Sequence, residues 1–165
     1  MHMFRRMLAL VVLPLVLLAA CDKKSDAAPT GYDLTPAPNA KYLADYAAKP
    51  GVKKTASGLL YRVIREGTKG IAVQKNSDVA TVYYKGALIN GKVFDQTKAD
   101  EPVQLPVDGV IPGWTEALKL MKTGDVWEIV IPAELGYGSE GAGDSIPPDQ
   151  VLVFQLQLVK VEYAP

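Results

Sequence analysis

The residues able to do acid–base or nucleophilic chemistry are few and scattered. The chain of 165 residues has one His, His2, and one Cys, Cys21, both near its start. One Cys has no internal disulfide partner, and one Cys with one His cannot complete a structural zinc site, so no metal site is expected. A Ser-His-Asp or Cys-His mechanism would have to run through His2, which excludes those enzyme classes. Asp95, Asp108, Asp125, Glu128 and Glu134 show no paired-acid spacing and read as solvated loop or strand-edge charges. Gly136-Tyr137-Gly138 and Gly141-Ala142-Gly143 do not open a helix, so neither is a phosphate cradle, and no cofactor is expected. What remains is a set of aromatic residues and one acid at element ends. Tyr84 ends one strand, Phe94-Asp95 ends another, Trp114 opens a helix, Tyr137 sits in a Gly-rich loop and Phe154 lies on the last strand. Singly, each reads as core. Together they read as the walls of a concave aromatic pocket with a few polar groups. Both readings are open at this point.

The elements must place these residues. Lys+Arg and Asp+Glu both number 18, so the net charge is zero and a nucleic-acid backbone is not an expected partner. Residues 1–20 combine Arg5 and Arg6 with an apolar run, Met7 to Leu18, that is short of the ~20 residues of a spanning helix. The following Leu18-Ala19-Ala20-Cys21 resembles the bacterial lipoprotein signal. Residues 1–20 are therefore expected to be a signal peptide and Cys21 a lipidated N-terminus, with the membrane met only through that lipid. The expected location is the periplasmic face of a bacterial envelope, at the inner or the outer membrane.

Residues 21–50 are rich in Ala, Pro, Lys and Asp and read as a flexible tether. Within it, Lys41 to Ala48 has the spacing of two helical turns with Tyr42, Leu43 and Tyr46 near one face. Residues 51–165 read as the folded domain. Gly58–Arg65, Asp78–Leu88 and Asp125–Ile131 alternate like strands. Asn90-Gly91 is the strongest hairpin signal and leads into Val93-Phe94. Pro102–Val107 is a short extended piece with Val103 and Leu105 on one side. Ile111–Met121 is an amphipathic helix with Trp114, Ala117, Leu118 and Met121 in one stripe. Val151–Glu162 is a long strand, with Leu152, Phe154, Leu156, Leu158 and Lys160 facing one way. About five strands and one short helix without a βαβ rhythm predict an α+β fold with a mostly antiparallel sheet.

Six motifs occur in order: Val82-Tyr83-Tyr84-Lys85-Gly86, Gly91-Lys92-Val93-Phe94-Asp95, Val110-Ile111-Pro112-Gly113-Trp114, Gly136-Tyr137-Gly138, Ile146-Pro147-Pro148 and Leu152-Val153-Phe154. Over about residues 52–163 the chain resembles the FKBP-type peptidyl-prolyl cis-trans isomerases, the targets of rapamycin and tacrolimus. It looks most like the exported bacterial branch, the macrophage infectivity potentiator type. The resemblance implies a five- to six-stranded antiparallel sheet wrapped around one short helix, and a site with assigned parts. Trp114 would be the floor under a proline ring, with Tyr84, Phe94, Val110, Ile111 and Phe154 as walls. Val103 would stand in for a family aromatic, and Ile146 would flank the entrance. The Ile111 N–H and the Tyr137 hydroxyl would bind substrate carbonyls, and Asp95 would accept a hydrogen bond from Tyr84 and face the twisting amide. The segment between Asp95 and Val110 is shorter than in small eukaryotic members, and the loop before Ile146 lacks their usual His-Pro. The implied activity is isomerisation of X–Pro bonds in proline-containing polypeptides. A binding module using the same pocket, and a structural lipoprotein whose aromatics are core, are the competing readings. The long N-terminal helix of dimeric relatives is missing, so a monomer is expected.

Overall fold

The computed structural model describes residues 33–68 and 70–165. The expected signal peptide (1–20) and Cys21 lie outside the described residues.

The chain runs through α1 (Pro36–Ala47), β1 (Val52–Lys54), β2 (Leu60–Arg65), β3 (Val79–Leu88), β4 (Val93–Gln96), β5 (Val103–Pro106), α2 (Pro112–Leu120), β6 (Val126–Ile131), two 3-10 turns (Ala133–Leu135 and Gly138–Glu140) and β7 (Leu152–Glu162). All strands join one antiparallel sheet of order β1-β2-β6-β7-β3-β4, with β5 also paired to β3. The α+β class and the antiparallel sheet match the sequence expectation. The sheet has seven strands rather than five or six. The strand that escapes alternation analysis is β1, only three residues long, whereas β5 falls within the extended piece read at Pro102–Val107.

The main core lies between α2 and one face of the sheet. Trp114, Ala117, Leu118 and Met121 of the helical stripe are buried against Val82, Leu88, Ile129, Leu152 and Leu156. The other face is covered as well. Tyr42 and Tyr46 of α1 bury against Leu60, Val130, Val151 and Val153. Strand β6 is therefore sandwiched, with Trp127, Ile129 and Ile131 toward α2 and Val130 toward α1. The helix expected in the 21–50 segment starts at Pro36, five residues before Lys41, and is docked. Its two early prolines sit in the first turn, where the missing N–H groups have no intrahelical partner to lose.

Two local departures have clear causes. The Asn90-Gly91 hairpin is a three-residue loop. Gly91 N donates to Leu88 O at 2.9 Å, Leu88 N to Lys92 O at 3.0 Å, and only Gly91 (φ +86°) is left-handed. In β7 the register against β3 slips between Thr81 and Val82, which pair with Lys160 and Leu158. The bulge at Val159 moves Val161 onto the core face with Leu158 and leaves Val159 exposed.

Acids read as solvated are partly structural. Asp125 is buried, with Oδ2 accepting from Lys122 N (2.9 Å) and Oδ1 from Gly67 N (2.6 Å), which fixes the turn after α2. Glu128 is buried between the Tyr46 hydroxyl (2.8 Å) and Arg62 (3.1 Å). Asp108 and Glu134 are exposed as expected.

Asp78, at the entry to β3, is also buried. It accepts from Gln74 N and Lys75 N at 2.8 Å each and from Ala164 N at 3.0 Å, tying a loop and the C-terminal tail to β3. The Lys75 N–H above all, with those of Gln74 and Ala164 and the Lys75 charge, holds its carboxyl below the usual aspartate value against the opposing effect of burial. A carboxyl lowered on folding stabilises the native state fully above its unfolded value of about 3.9, and that contribution disappears as pH falls through the lower folded value. Urea midpoints followed from neutral pH into this acid range should therefore fall, and Asp78→Asn should lower the neutral midpoint and flatten the acid limb. An acid limb of unchanged slope in the variant would assign the loss to other carboxyls.

Candidate active site

One end of α2 opens onto a cavity of about 350 Å3. Its lining comes from six places in the chain: Tyr84 of β3, Phe94 and Asp95 of β4, Leu105 of β5, Gly109-Val110-Ile111 and Trp114 at the start of α2, Tyr137 between the 3-10 turns, and Phe154 of β7. A larger, more open hollow of about 600 Å3 runs beside α2 past Asp108, Val110, Pro112 and Glu116, but no aromatic ring lines it.

The rings hold one another edge to face. Trp114 lies 5.1 Å from Tyr84 and 5.2 Å from Phe154, at interplanar angles of 82° and 84°. Phe94 meets Phe154 at 5.5 Å and 86°. This geometry sets the positive ring edge against the negative face, the arrangement aromatic pairs favour. It depends on Gly86. A Cβ there would come within 2.6 Å of Phe154 and 2.7 Å of Phe94, so only a residue without a side chain lets both rings lie against β3.

The polar groups stand at the rim. Tyr84 donates its hydroxyl to Asp95 Oδ2 at 2.5 Å. Burial first, then the hydrogen bond to Asp95 and its charge, push the Tyr84 phenol well above the ordinary tyrosine value. Ile111 is extended (φ −60°, ψ 149°) just before α2, and its carbonyl accepts from Trp114 N (2.9 Å) and Thr115 N (3.2 Å). Its own N–H meets no acceptor among the described residues. Tyr137 is 40% exposed, and no hydrogen bond holds its hydroxyl among the described residues. The buried Trp114 Nε1 likewise has no partner.

Of the residues singled out from sequence, Tyr84, Asp95, Ile111, Tyr137, Phe94, Val110, Trp114 and Phe154 share this cavity. Val103 and Ile146 do not line it. Val103 packs against the core one β-period away, and Ile146 is 5% exposed, turned into the core by its bridge to Ala142. Leu105 and Gly109 line it and were missed. Leu105 shares a face of β5 with Val103, and the strand register rather than the sequence selects it. No cluster of His, Cys, Asp and Glu able to hold a metal occurs among the described residues.

The order of causes at Tyr84 has a measurable consequence. In Asp95→Ala, a site-specific NMR titration of the Tyr84 ring should show its phenol moving down yet staying above a normal tyrosine, because burial is the larger effect. A return to the ordinary value would make the carboxylate the dominant influence.

Comparison with known proteins agrees with the arrangement. A family model described as FKBP-type peptidyl-prolyl cis-trans isomerase matches residues 72–159, and one for the domain amino terminal to it matches residues 18–63. The chain is 51% identical over 122 residues to the FKBP-type 22 kDa peptidyl-prolyl cis-trans isomerase of Escherichia coli, covering 73% of this chain and 58% of that protein. It is 45% identical over 124 residues to the outer membrane protein MIP of Legionella longbeachae, covering 74% and 52% respectively. The chain thus spans a little over half the length of these relatives. A crystal structure of a peptidyl-prolyl cis-trans isomerase from Pseudomonas syringae matches with a TM-score of 0.71 at 41% identity, covering 76% of this chain and 91% of that one. Six ordered motifs, the shared sheet and the aromatic cavity lead to one conclusion: this chain belongs to the FKBP-type peptidyl-prolyl cis-trans isomerase family.

Proposed function

We propose that this chain accelerates cis–trans rotation about X–Pro bonds in polypeptides of the bacterial cell envelope. The observation that carries the reading is the aromatic-walled cavity with an unpartnered backbone donor, the Ile111 N–H, in its lining. Rotation is slow because resonance gives the amide C–N bond partial double-bond character, with a barrier of ~18–20 kcal/mol. At X–Pro bonds the two isomers are close in energy, so lowering the barrier is all that a catalyst must do. A twisted amide has lost resonance and carries less charge separation than the planar one. An apolar wall therefore favours the twisted form relative to the planar one, which is differential binding of the transition state.

In this reading the proline ring lies over Trp114, between Tyr84, Phe94, Val110 and Phe154. The Ile111 N–H and the Tyr137 hydroxyl each donate to a carbonyl of the bound chain and hold it in the turn that accompanies twisting. Asp95, with one oxygen taken by Tyr84, faces the rotating amide from the rim. Val103 and Ile146 support the walls from behind. No step needs a nucleophile, a metal or a titrating imidazole. The same cavity is suited to rapamycin- and tacrolimus-type ligands.

The test is relaxation of an Ala-Leu-Pro-Phe-type peptide from cis to trans. The chain should accelerate it, rapamycin should abolish the acceleration, and Tyr137→Phe should lower kcat/KM about 5-fold, the equivalent of one hydrogen bond. A folded chain that leaves the relaxation rate unchanged would overturn the reading.

We place the chain on the periplasmic side of the envelope, held by lipid on Cys21 and acting as a monomer. The lipoprotein-like Leu18-Ala19-Ala20-Cys21 supports the anchor. Labelled fatty acid fed to expressing cells should enter the wild type and not Cys21→Ser. Equal labelling of both would remove Cys21 from its role.

A further inference from the structure

We propose that Asn39 and Gln150 form a buried amide clasp by which α1 positions Tyr137, making Asn39 a positioning residue of the isomerase reaction. The inference rests on the reading of Tyr137 as a substrate donor.

Tyr137 makes no side-chain hydrogen bond among the described residues, so its backbone must place it. Gly141 N donates to Tyr137 O at 3.2 Å, and Asp149 N donates to Gly138 O at 2.8 Å. The second bond joins the Tyr137 turn to the far end of the Gly- and Pro-rich loop. Asp149 makes it from a left-handed conformation (φ +58°), unfavourable for a residue other than glycine. Such a conformation persists only where neighbouring structure holds it.

The two amides supply that hold. Gln150 is 4% exposed, and its Nε2 donates to Pro148 O and to Leu34 O at 2.9 Å each. Asn39 is 5% exposed. Its Oδ1 accepts from Val151 N at 3.0 Å, and its Nδ2 reaches Thr35 O at 3.1 Å and Gln150 Oε1 at 3.4 Å. Gln150, and Pro148 through it, are thus tied to Asn39 in α1 and to Leu34 just before it. Asn39, Tyr42 and Tyr46 share one helical face, so burial of the two tyrosines against the sheet keeps the Asn39 amide at its station. Buried amides are costly unless their donors and acceptors are met, and when met they fix one geometry rather than a range. The link runs from Asn39 to Val151 and Gln150, through Asp149 to Gly138, and so to Tyr137. A helix on the face of the sheet away from α2 thereby sets the donor at the rim.

The test is a double-mutant cycle on kcat/KM with Asn39→Ala, Tyr137→Phe and the pair in the full chain, together with hydrogen exchange at the Asp149 amide. Asn39→Ala should speed that exchange by about tenfold. It should lower kcat/KM about 3-fold in the wild type and have no effect in Tyr137→Phe. Equal losses in both backgrounds, or unchanged Asp149 exchange, would overturn the positioning role while leaving the isomerase reading intact. If Tyr137→Phe alone costs nothing, the Tyr137 assignment fails and the coupling fails with it. Should Asn39→Ala not fold, Gln150→Ala carries the same cycle, because it cuts the ties to Leu34 and Pro148 while keeping Asn39 on Val151.

Discussion

The indole of Trp114 stands where helix, sheet and loop converge, and the shape of the cavity follows from how it is held. Tyr84 and Phe154 meet it edge to face from neighbouring strands β3 and β7. The backbone brings it there because Ile111 stays extended until Pro112 opens α2. Gly113 lets the helix lie flush on β6, since a Cβ at that position would come within 2.7 Å of Ile131. Thr115 then locks the first turn through a 2.6 Å hydrogen bond to Val107 O. Packing of this kind is intolerant of added volume, so the cavity keeps its width through the fold as a whole rather than through any one wall.

Buried charge and the aromatic cavity are separated in this molecule. Asp78, Asp125 and Glu128 are buried, and each is satisfied by partners that tie a loop, a tail or a helix to the sheet. They hold the ends of elements in register. The cavity has one carboxylate, Asp95, bound by Tyr84 at the rim. Its walls are mostly hydrocarbon and aromatic ring, the surroundings that the proposed discrimination between a planar and a twisted amide would need.

Much of this was legible in the sequence, and the remainder was not for identifiable reasons. The alternation of β3 and β6 and the stripe on α2 state directly which side chains are inward. The six motifs name most of the cavity. Which residue of β5 reaches it was not legible. Val103 and Leu105 share a face, and the choice depends on pairing: Leu105 lies opposite Ala80, and Val103 opposite Val82. Register between strands far apart in sequence is a tertiary property. The bulge at Val159 is of the same kind, because the residues themselves alternate without interruption. Prolines at 36 and 38 suggest an unstructured tether when read alone. They mark a helix start once the burial of Tyr42 and Tyr46 is known. The acids misread as solvated are buried by partners that composition does not reveal.

The position of β7 sets when such a site can first exist. It is the last strand in sequence and is central in the sheet, lying between β6 and β3, and it contributes Phe154. Until residues beyond 151 are available, β2-β6 and β3 with its short partners have no shared neighbour and the aromatic box lacks a wall. Such non-local closure is slow compared with helix formation, because the chain must lose loop entropy before the pairing stabilises it. A chain emerging N-terminus first therefore lacks the central strand and the Phe154 wall until its last residues are free. The sheet's central strand and the cavity's last wall are one and the same segment of chain.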